Sequence, residues 1–168
     1  MIRLLLTVTA FFLTSDSDAK DYLGRVDIFF SIDCPIANAY APELSRIYDE
    51  FSPEGFDFHL VYPDPTTTDA EIAEHRKEYF LKIPGMRDRN HERVKAAGAS
   101  FTPEVAIFDS KNHLLYRGLI DNLFKNYGDK RRVATEPYLR KLLKRMIAGE
   151  PLPFTQTKPI GCFIEPLP

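Results

Sequence analysis

Runs of apolar residues alternate with amphipathic segments along most of the chain. The segment 26–32 (VDIFFSI) is almost continuously apolar and rich in β-branched and aromatic residues, which is typical of a central strand buried on both faces. Over residues 36–51 the apolar positions recur at helical spacing, and Pro42 is expected to kink that helix. The segment 56–62 (FDFHLVY) predicts a second strand, because its apolar positions alternate and then become continuous.

Capping signals then predict two helices in the middle of the chain. Thr68 and Glu71 have the spacing of a capping box, and the helix that they start is expected to carry Tyr79 and Phe80. A shorter helix, capped by Asp88 or Asn90, is expected to end at Gly98.

The last third of the chain predicts a hairpin, a helix and a tail. Segments 104–109 and 113–120 are two strand-like runs joined by a short polar turn, and a final amphipathic helix lies within 135–149. The element order β-α-β-α-(α)-β-β-α predicts an α/β fold with a mixed sheet flanked by helices on both faces, over residues 20–149. Residues 150–168 hold five prolines and no periodic pattern, so we expect an extended tail without further elements.

Composition limits the function classes. The 168 residues are 44% hydrophobic and carry a net charge of −2, which fits one domain and gives no basic surface for nucleic acid. We therefore expect no nucleic-acid partner. The composition makes no prediction about the oligomeric state.

The first nineteen residues have the pattern of a signal peptide. Arg3 precedes an apolar stretch at 4–13, and the small residues Ser17 and Ala19 resemble a cleavage site. The apolar stretch is too short for a stable membrane span, so we expect export to the periplasm or beyond. A buried N-terminal strand is the alternative interpretation.

Cys34 lies where the first strand gives way to the first helix. A thiol in the first turn of a helix is close to unpaired N–H groups, which favour the nucleophilic thiolate, and we expect its sulfur to be accessible. The neighbouring carboxylate of Asp33 acts in the opposite direction unless it points into solvent. The alternative is that Cys34 fills a small space in the core.

The stretch CPIANAYAP, residues 34–42, resembles the active-site signature of the thioredoxin superfamily. Cys34 matches the first cysteine and Pro42 the proline eight places later, whereas Ala37 stands where the second cysteine would be. The resemblance implies a thioredoxin-like fold, a catalytic role for Cys34, and a place for Pro35 beside the substrate.

The stretch FTPEVAIFD, beginning at residue 101, resembles the second half of the same superfamily. By this resemblance Thr102 and Pro103 are a cis-proline pair that faces the thiol and binds a substrate chain through the backbone. An ordinary turn is the alternative. Glu104 follows and is a candidate substrate contact and proton acceptor, or simply an exposed charge at a strand start.

The predicted helix at 68–80 resembles the insertion of the redoxin branch, which includes the alkyl hydroperoxide reductase and thiol-specific antioxidant-like proteins. With the terminal GCFI, the chain is similar to exported bacterial redoxin-domain proteins. Peroxiredoxins carry a proline and a threonine at the places that Asp27 and Ser31 hold here, so peroxidase activity is expected to be weak at most.

Cys162 is the second cysteine of the chain, and it lies in the tail. The extended tail from Pro151 spans at most about 34 Å, enough to bring Cys162 across a domain of this size to Cys34. Cys162 then either resolves an oxidised Cys34 or forms a permanent disulfide with it.

Two functions from different classes follow. The first is a thiol-disulfide oxidoreductase without cofactor or metal, whose partners are protein or small-molecule thiols and disulfides. The second is a non-catalytic binding module, which holds a peptide beside a structural Cys34–Cys162 disulfide or holds copper through Cys34, Cys162 and His91. The histidines are otherwise expected at solvated positions.

Overall fold

The computed structural model of the protein describes residues 21–167, so the predicted signal peptide lies outside the described residues. The strands are β1 (Gly24–Phe29), β2 (Phe56–Tyr62), β3 (Gly85–Arg87), β4 (Phe101–Thr102), β5 (Glu104–Asp109), β6 (Leu114–Gly118), β7 (Phe124–Asn126), β8 (Asp129–Lys130), β9 (Thr155–Gln156) and β10 (Cys162–Phe163). The α-helices are α1 (Pro35–Ala39), α2 (Ala41–Phe51), α3 (Asp69–Glu78), α4 (Glu92–Ala97) and α5 (Tyr138–Ile147).

Six of the strands form one mixed sheet in the order β3-β2-β1-β5-β6-β9. β1 pairs in parallel with β2 and antiparallel with β5, and β5 pairs antiparallel with β6 as the predicted hairpin. β1 is therefore the central strand that its continuous apolar run predicts. Two further pairs, β10 with β4 and β7 with β8, lie outside this sheet.

Side chains of the central strands alternate between two apolar cores, one on each face of the sheet. Val26 and Ile28 belong to the larger core with Leu44 of α2, and Phe29 belongs to the second core with Val94 of α4. Because successive strand residues point to opposite faces, the run that begins at residue 26 supplies both cores. The thioredoxin-like fold with helices on both faces is confirmed.

The predicted first helix is two helices. α1 ends at Ala39, and α2 begins at Ala41 with Pro42 in its first turn. Proline lacks the N–H that a helix interior needs, but this group is not needed in a first turn, so the chain restarts the helix there. The expected kink is thus a break at Tyr40.

The capping box of α3 is confirmed, but the predicted end of this helix is wrong. The Thr68 side chain accepts from the Glu71 amide, and the Glu71 carboxylate accepts from the Thr68 amide. α3 ends at Glu78, and Phe80 has a φ of 53° and is 84% exposed. The apolar residue at position 80 therefore lies beyond the helix and outside the core.

The tail forms two short strands, contrary to the expectation of no further elements. β9 adds to the edge of β6, and the Thr157 hydroxyl lies 2.7 Å from the Tyr116 hydroxyl and 2.8 Å from the Leu119 amide. A Cβ on Gly118 would lie 2.2 Å from the Thr157 hydroxyl, so only glycine allows this approach. Two-residue strands leave no periodic pattern, which is why the sequence does not reveal them.

Across residues 21–167, no helix combines the length and the apolar character needed to cross a membrane.

Candidate active site

Cys34 holds the N-cap position of α1, at the junction that the hydrophobic pattern predicts. Pro35 follows in the first turn, where proline is favoured, and its side chain is exposed. The Cys34 Sγ atom donates a hydrogen bond to the carbonyl oxygen of Thr102 over 3.0 Å. Only 1% of Cys34 is exposed, so the expectation of an accessible sulfur is wrong for this arrangement of the chain.

The immediate neighbours of Cys34 in sequence have separate environments. Asp33 is exposed, so water screens its charge and weakens its repulsion of a thiolate at Cys34. Ala37 occupies the place of the second cysteine and is fully buried in α1. A partner thiol for Cys34 therefore has to come from elsewhere in the chain.

The Thr102–Pro103 peptide bond is cis, as the resemblance to the thioredoxin superfamily implies. Thr102 ends β4, is 2% exposed, and turns its carbonyl oxygen to the Cys34 sulfur. The fold thus brings the cis-proline pair and the strand-to-helix cysteine together, although they are 68 residues apart.

Cys162 reaches the same place through β10. This strand pairs antiparallel with β4, with Cys162 opposite Thr102 and Phe163 opposite Phe101. Both cysteines are free thiols, and the side chain of Cys34 is near enough to that of Cys162 to shift its pKa. The tail therefore places the second thiol of the chain beside the first.

The environment of Cys162 keeps its thiol protonated. Burial is the largest cause that raises the pKa of Cys162 from 9.0 to about 12, and the neighbouring side chain of Cys34, with the charge that it would carry, raises this pKa further. At neutral pH, Cys162 is thus a thiol rather than a thiolate.

Glu104 supports the backbone of β4. One of its carboxylate oxygens accepts hydrogen bonds from the Ser100 and Phe101 amides, and the other lies 3.4 Å from the Arg117 guanidinium. Burial raises the pKa of Glu104, against the effect of these donors and of Arg117. Glu104 is 1% exposed and does not line the cavity beside the cysteines, so this geometry favours a structural role over contact with a substrate.

A buried histidine, His75, fixes the loop that leads to Cys34. The sequence did not predict this role. His75 lies 2.9 Å from both the Tyr62 hydroxyl and the Asn38 side-chain oxygen, and the Asn38 amide donates to the carbonyl of Ile32. Because the Asn38 oxygen only accepts, Nε2 of His75 carries the proton and Nδ1 accepts from Tyr62. Burial lowers the pKa of His75, which favours this neutral form.

The expectation of solvated histidines is wrong for His75 and His91, which are 3% and 5% exposed. One signal in the sequence points to the first of them. Ile72, His75 and Tyr79 share the 3-4 spacing of one helix face, and Ile72 and His75 of that face are buried.

The junction of α1 and α2 is held by a hydrogen bond to Asp121, a residue distant in sequence. The Tyr40 hydroxyl donates to the Asp121 carboxylate over 2.7 Å, and the Leu123 amide donates to the same oxygen. Burial raises the pKa of Asp121, and it also raises the pKa of Tyr40. This hydrogen bond holds the helix restart at Tyr40 and so helps to set the direction of α1.

A cavity of about 400 Å³ opens beside the cysteines. Cys162 lines it, whereas Cys34 does not. Its lining residues are Ser31, Pro63, Asp64, Pro65, Thr102, Cys162, Phe163, Ile164 and Glu165. In this arrangement a small molecule in the cavity contacts Cys162 and does not contact Cys34.

The copper site considered from the sequence is not assembled. His91 Nε2 lies 2.8 Å from the carbonyl oxygen of Pro63, to which it donates in the corresponding tautomer. Within the described part of the chain, no group of three His, Cys, Asp or Glu side chains could hold a metal ion.

Solved structures with a similar fold come from several bacteria. An uncharacterized conserved protein from Geobacillus kaustophilus is 28% identical, with a TM-score of 0.75, over 90% of this chain and 81% of that one. A hypothetical protein from Sinorhizobium meliloti is 23% identical, with a TM-score of 0.73, over 86% of this chain and 80% of that one. A proposed thiol:disulfide interchange protein from Chlorobium tepidum is 14% identical, with a TM-score of 0.53, over 79% of this chain and 82% of that one.

Among curated proteins, none matches the sequence. The family model for Redoxin matches residues 13–130, so the match begins within the predicted signal peptide and extends through the cis-proline and the hairpin. This is well over half of the 168 residues. With the thioredoxin-like fold already described, the match establishes that the chain belongs to the Redoxin family.

Proposed function

We propose that the protein is an exported thiol-disulfide oxidoreductase, in which Cys34 is the nucleophile and Cys162 the resolving thiol. One observation carries the proposal. Two free cysteines, distant in sequence, lie beside each other at the cis-proline, because Cys162 pairs with Thr102 and the Cys34 sulfur lies 3.0 Å from the Thr102 carbonyl oxygen. Two thiols held beside the same peptide bond are placed to exchange between the dithiol and the disulfide.

The reaction has two steps. The Cys34 thiolate attacks one sulfur of a partner disulfide, so that a Cys34–partner bond forms, the partner's S–S bond breaks, and its other sulfur leaves and takes up a proton. Cys162 then loses its proton and attacks the Cys34 sulfur. This step forms the Cys34–Cys162 disulfide and releases the partner's second thiol, so the partner is reduced by two electrons and the protein is oxidised by two. The reverse sequence oxidises a partner dithiol.

The state of Cys162 supports this division of roles. Its pKa of about 12 makes it a poor nucleophile while Cys34 is a free thiol or thiolate. A mixed disulfide at Cys34 carries no charge, which removes the electrostatic cause of the shift. Cys162 therefore becomes easier to ionise at the step in which it has to attack.

Membership of the Redoxin family fits a thiol-disulfide oxidoreductase or a peroxiredoxin-like enzyme. The residues before Cys34 favour the first. Asp27, at the place of the peroxiredoxin proline, is fully buried and ion-paired with Arg25 and Arg93 in support of the sheet. Ser31, at the place of the threonine, lines the cavity beside Cys162 and leaves a weak peroxidase activity as the lesser alternative.

A second candidate function is a binding module with a permanent Cys34–Cys162 disulfide. The 1% exposure of Cys34 favours it, because a nucleophile has to be reached by its substrate. The two functions differ in how easily the disulfide is reduced. Catalytic disulfides have potentials of about −120 to −270 mV, whereas structural ones lie below about −300 mV.

The test combines enzymatic turnover with the reduction potential of the Cys34–Cys162 couple. We expect wild-type protein to reduce insulin disulfides faster than it consumes peroxide, the Cys34→Ser variant to do neither, and the Cys162→Ser variant to accumulate a mixed disulfide at Cys34. Equilibration with thiol redox buffers is expected to place the Cys34–Cys162 couple in the catalytic range. A couple below about −300 mV, with no turnover dependent on Cys34, would favour the binding module.

Export is the remaining part of the proposal. The basic start, short apolar stretch and small residues of positions 1–19 support it. The mass of the protein recovered from its producing cell is expected to correspond to a chain that begins at Lys20. A recovered chain that retains the first nineteen residues would contradict export by this route.

A further inference from the structure

The segment of residues 161–164 occupies the edge of the strand that ends at the cis-proline. It pairs antiparallel with β4 through Cys162 and Phe163, and the Ile164 amide donates to the Ser100 carbonyl over 2.9 Å. The main chain of β4 is therefore already paired with a segment of the same polypeptide. Any other extended chain would have to take this place to pair with β4 beside Cys34.

Gly161 fits this edge more closely than any other residue type could. A Cβ at position 161 would lie 2.1 Å from the carbonyl oxygen of Thr102 and 3.1 Å from the ring of Pro103. The first of these atoms belongs to the backbone and cannot move aside like the end of a flexible side chain. The residue before the cysteine thus has to be glycine for the segment to lie flat against β4.

The two residues after Cys162 bind the rest of the edge. The Phe163 ring packs edge-on against Phe101, with ring centroids 5.7 Å apart, although Phe163 is 57% exposed. Ile164 is 7% exposed and belongs to the second core. The segment therefore offers an ordered pattern of a glycine, a cysteine, an aromatic residue and an aliphatic residue.

The tail is fixed a second time before it reaches this segment. β9 pairs with β6, and the Thr157 hydroxyl bonds to Tyr116 and Leu119. The two attachments are joined by residues 158–160. Residues 161–164 can leave β4 while the tail stays attached to the sheet at Thr157.

We propose that residues 161–164 are a resident competitor for the groove in which a redox partner's polypeptide binds, so that the partner reaches Cys34 only after this segment leaves β4. The partner segment that replaces it carries a glycine directly before its cysteine. The inference rests on the proposed function for the nature of the partner. In this proposal, residues 161–164 cover the groove beside Cys34, and an extended partner segment displaces them.

The two thiol-disulfide exchange steps take place as residues 161–164 leave β4 and return to it. When the partner's disulfide-bonded cysteine takes the place of Cys162, the Cys34 thiolate forms a bond to that sulfur and the partner's other sulfur leaves with a proton. When residues 161–164 return, the thiolate of Cys162 attacks Cys34 and the partner's cysteine leaves as a thiol. Return of the segment thus completes the reaction and closes the groove.

The first test measures how fast a small alkylating reagent modifies Cys34, in a Cys162→Ser background that leaves one thiol. We expect about tenfold faster alkylation when Gly161→Ala is added, because the new methyl group removes the segment from β4. Phe163→Ala, a gentler change, is expected to give a smaller increase. Phe154→Ala is the matched control, since Phe154 is a similarly exposed tail residue outside the segment, and it is expected to leave the rate unchanged.

The second test adds peptides to the Gly161→Ala, Cys162→Ser protein. A peptide of residues 158–165 with serine for the cysteine is expected to slow alkylation of Cys34, and the same peptide with alanine for the glycine is expected not to. Equal alkylation rates in all variants, or equal effects of the two peptides, would overturn the inference. Circular dichroism confirms that each variant is folded. These readouts need no turnover, so the inference can fail while insulin reduction succeeds, and the reverse.

Discussion

The two cysteines of the site lie beside each other, but they belong to parts of the molecule that are held very differently. Cys34 is a member of the larger core, next to Ile36 and Ala37, which are 4% and 0% exposed. Cys162 lies on a two-residue strand, and its neighbour Phe163 is 57% exposed. Segments with little buried apolar surface open at low free energy, whereas core elements open only with global unfolding. The comparison indicates that Cys34 is the fixed thiol and Cys162 the mobile one.

The largest expected effect tests the fixed side of this comparison. The His75→Ala variant is expected to lose about 3 kcal/mol of unfolding free energy, because the Tyr62 hydroxyl and the Asn38 oxygen would lose their partner in a buried site. Urea denaturation measures the loss. His113→Ala is the control, since the His113 side chain is 71% exposed, and it is expected to change stability by less than about 1 kcal/mol.

The same histidine predicts a pH dependence. Burial lowers the pKa of His75 below its ordinary value of 6.5, so the unfolded chain takes up a proton first as the pH falls. The stability that neutral His75 provides is therefore present above pH 6.5 and declines as the pH falls from there towards the folded pKa. Denaturation between pH 8 and 5 is expected to show this decline in the wild type and a smaller one in His75→Ala. Parallel profiles would contradict a neutral buried His75.

An intermediate effect tests the mobile side. Ile164→Ala is expected to weaken the attachment of residues 161–164 by about 1–2 kcal/mol, because Ile164 is buried in the second core. Hydrogen exchange at the Ile164 amide, which donates to Ser100, is expected to become about tenfold faster. The amides of β5 serve as the internal control and are expected to change much less. Equal acceleration in β5 would mean that the tail and the core open together.

The smallest expected effect sharpens the contact between the two thiols. In a Cys34→Ala variant the effect of the Cys34 side chain and its charge is lost, so the pKa of Cys162 is expected to fall from about 12 towards 9.0. Burial keeps it above that value. The dependence of the Cys162 alkylation rate on pH measures the midpoint. An unchanged midpoint would mean that burial alone sets the pKa and that Cys34 does not control its partner.

The sequence predicts the fixed part of the site far better than the mobile part. The run at 26–32 and the spacing from residue 36 place Cys34 at a strand-to-helix junction, and the pair Thr102–Pro103 is recognisable by resemblance, because strong periodic patterns and short motifs determine these positions. The break at Tyr40 differs from the predicted kink because a first turn accepts proline as readily as an interior rejects it.

The tail and the burial of Cys34 could not be predicted in the same way. β10 is two residues long, and its place depends on the edge of β4 and on the space at Gly161 rather than on its own pattern. The length of the tail allows Cys162 to come close to Cys34, but it does not predict that the tail buries Cys34. The burial of Glu104 could not be predicted either. A charged residue at the start of a strand is usually exposed, and only the turn of residues 100–101 back over its carboxylate makes it an internal support.

The attachment at Thr157 has a consequence for the kind of partner that can succeed. At most about 17 Å of extended chain separates Thr157 from Cys162, so a detached segment stays at an effective concentration in the millimolar range. A partner that diffuses freely at micromolar concentration would have to bind the bare groove about a thousandfold more tightly than residues 161–164 do in order to occupy it equally. Under the proposed competition, the short tether therefore sets a minimum affinity that a polypeptide disulfide needs in order to occupy the groove.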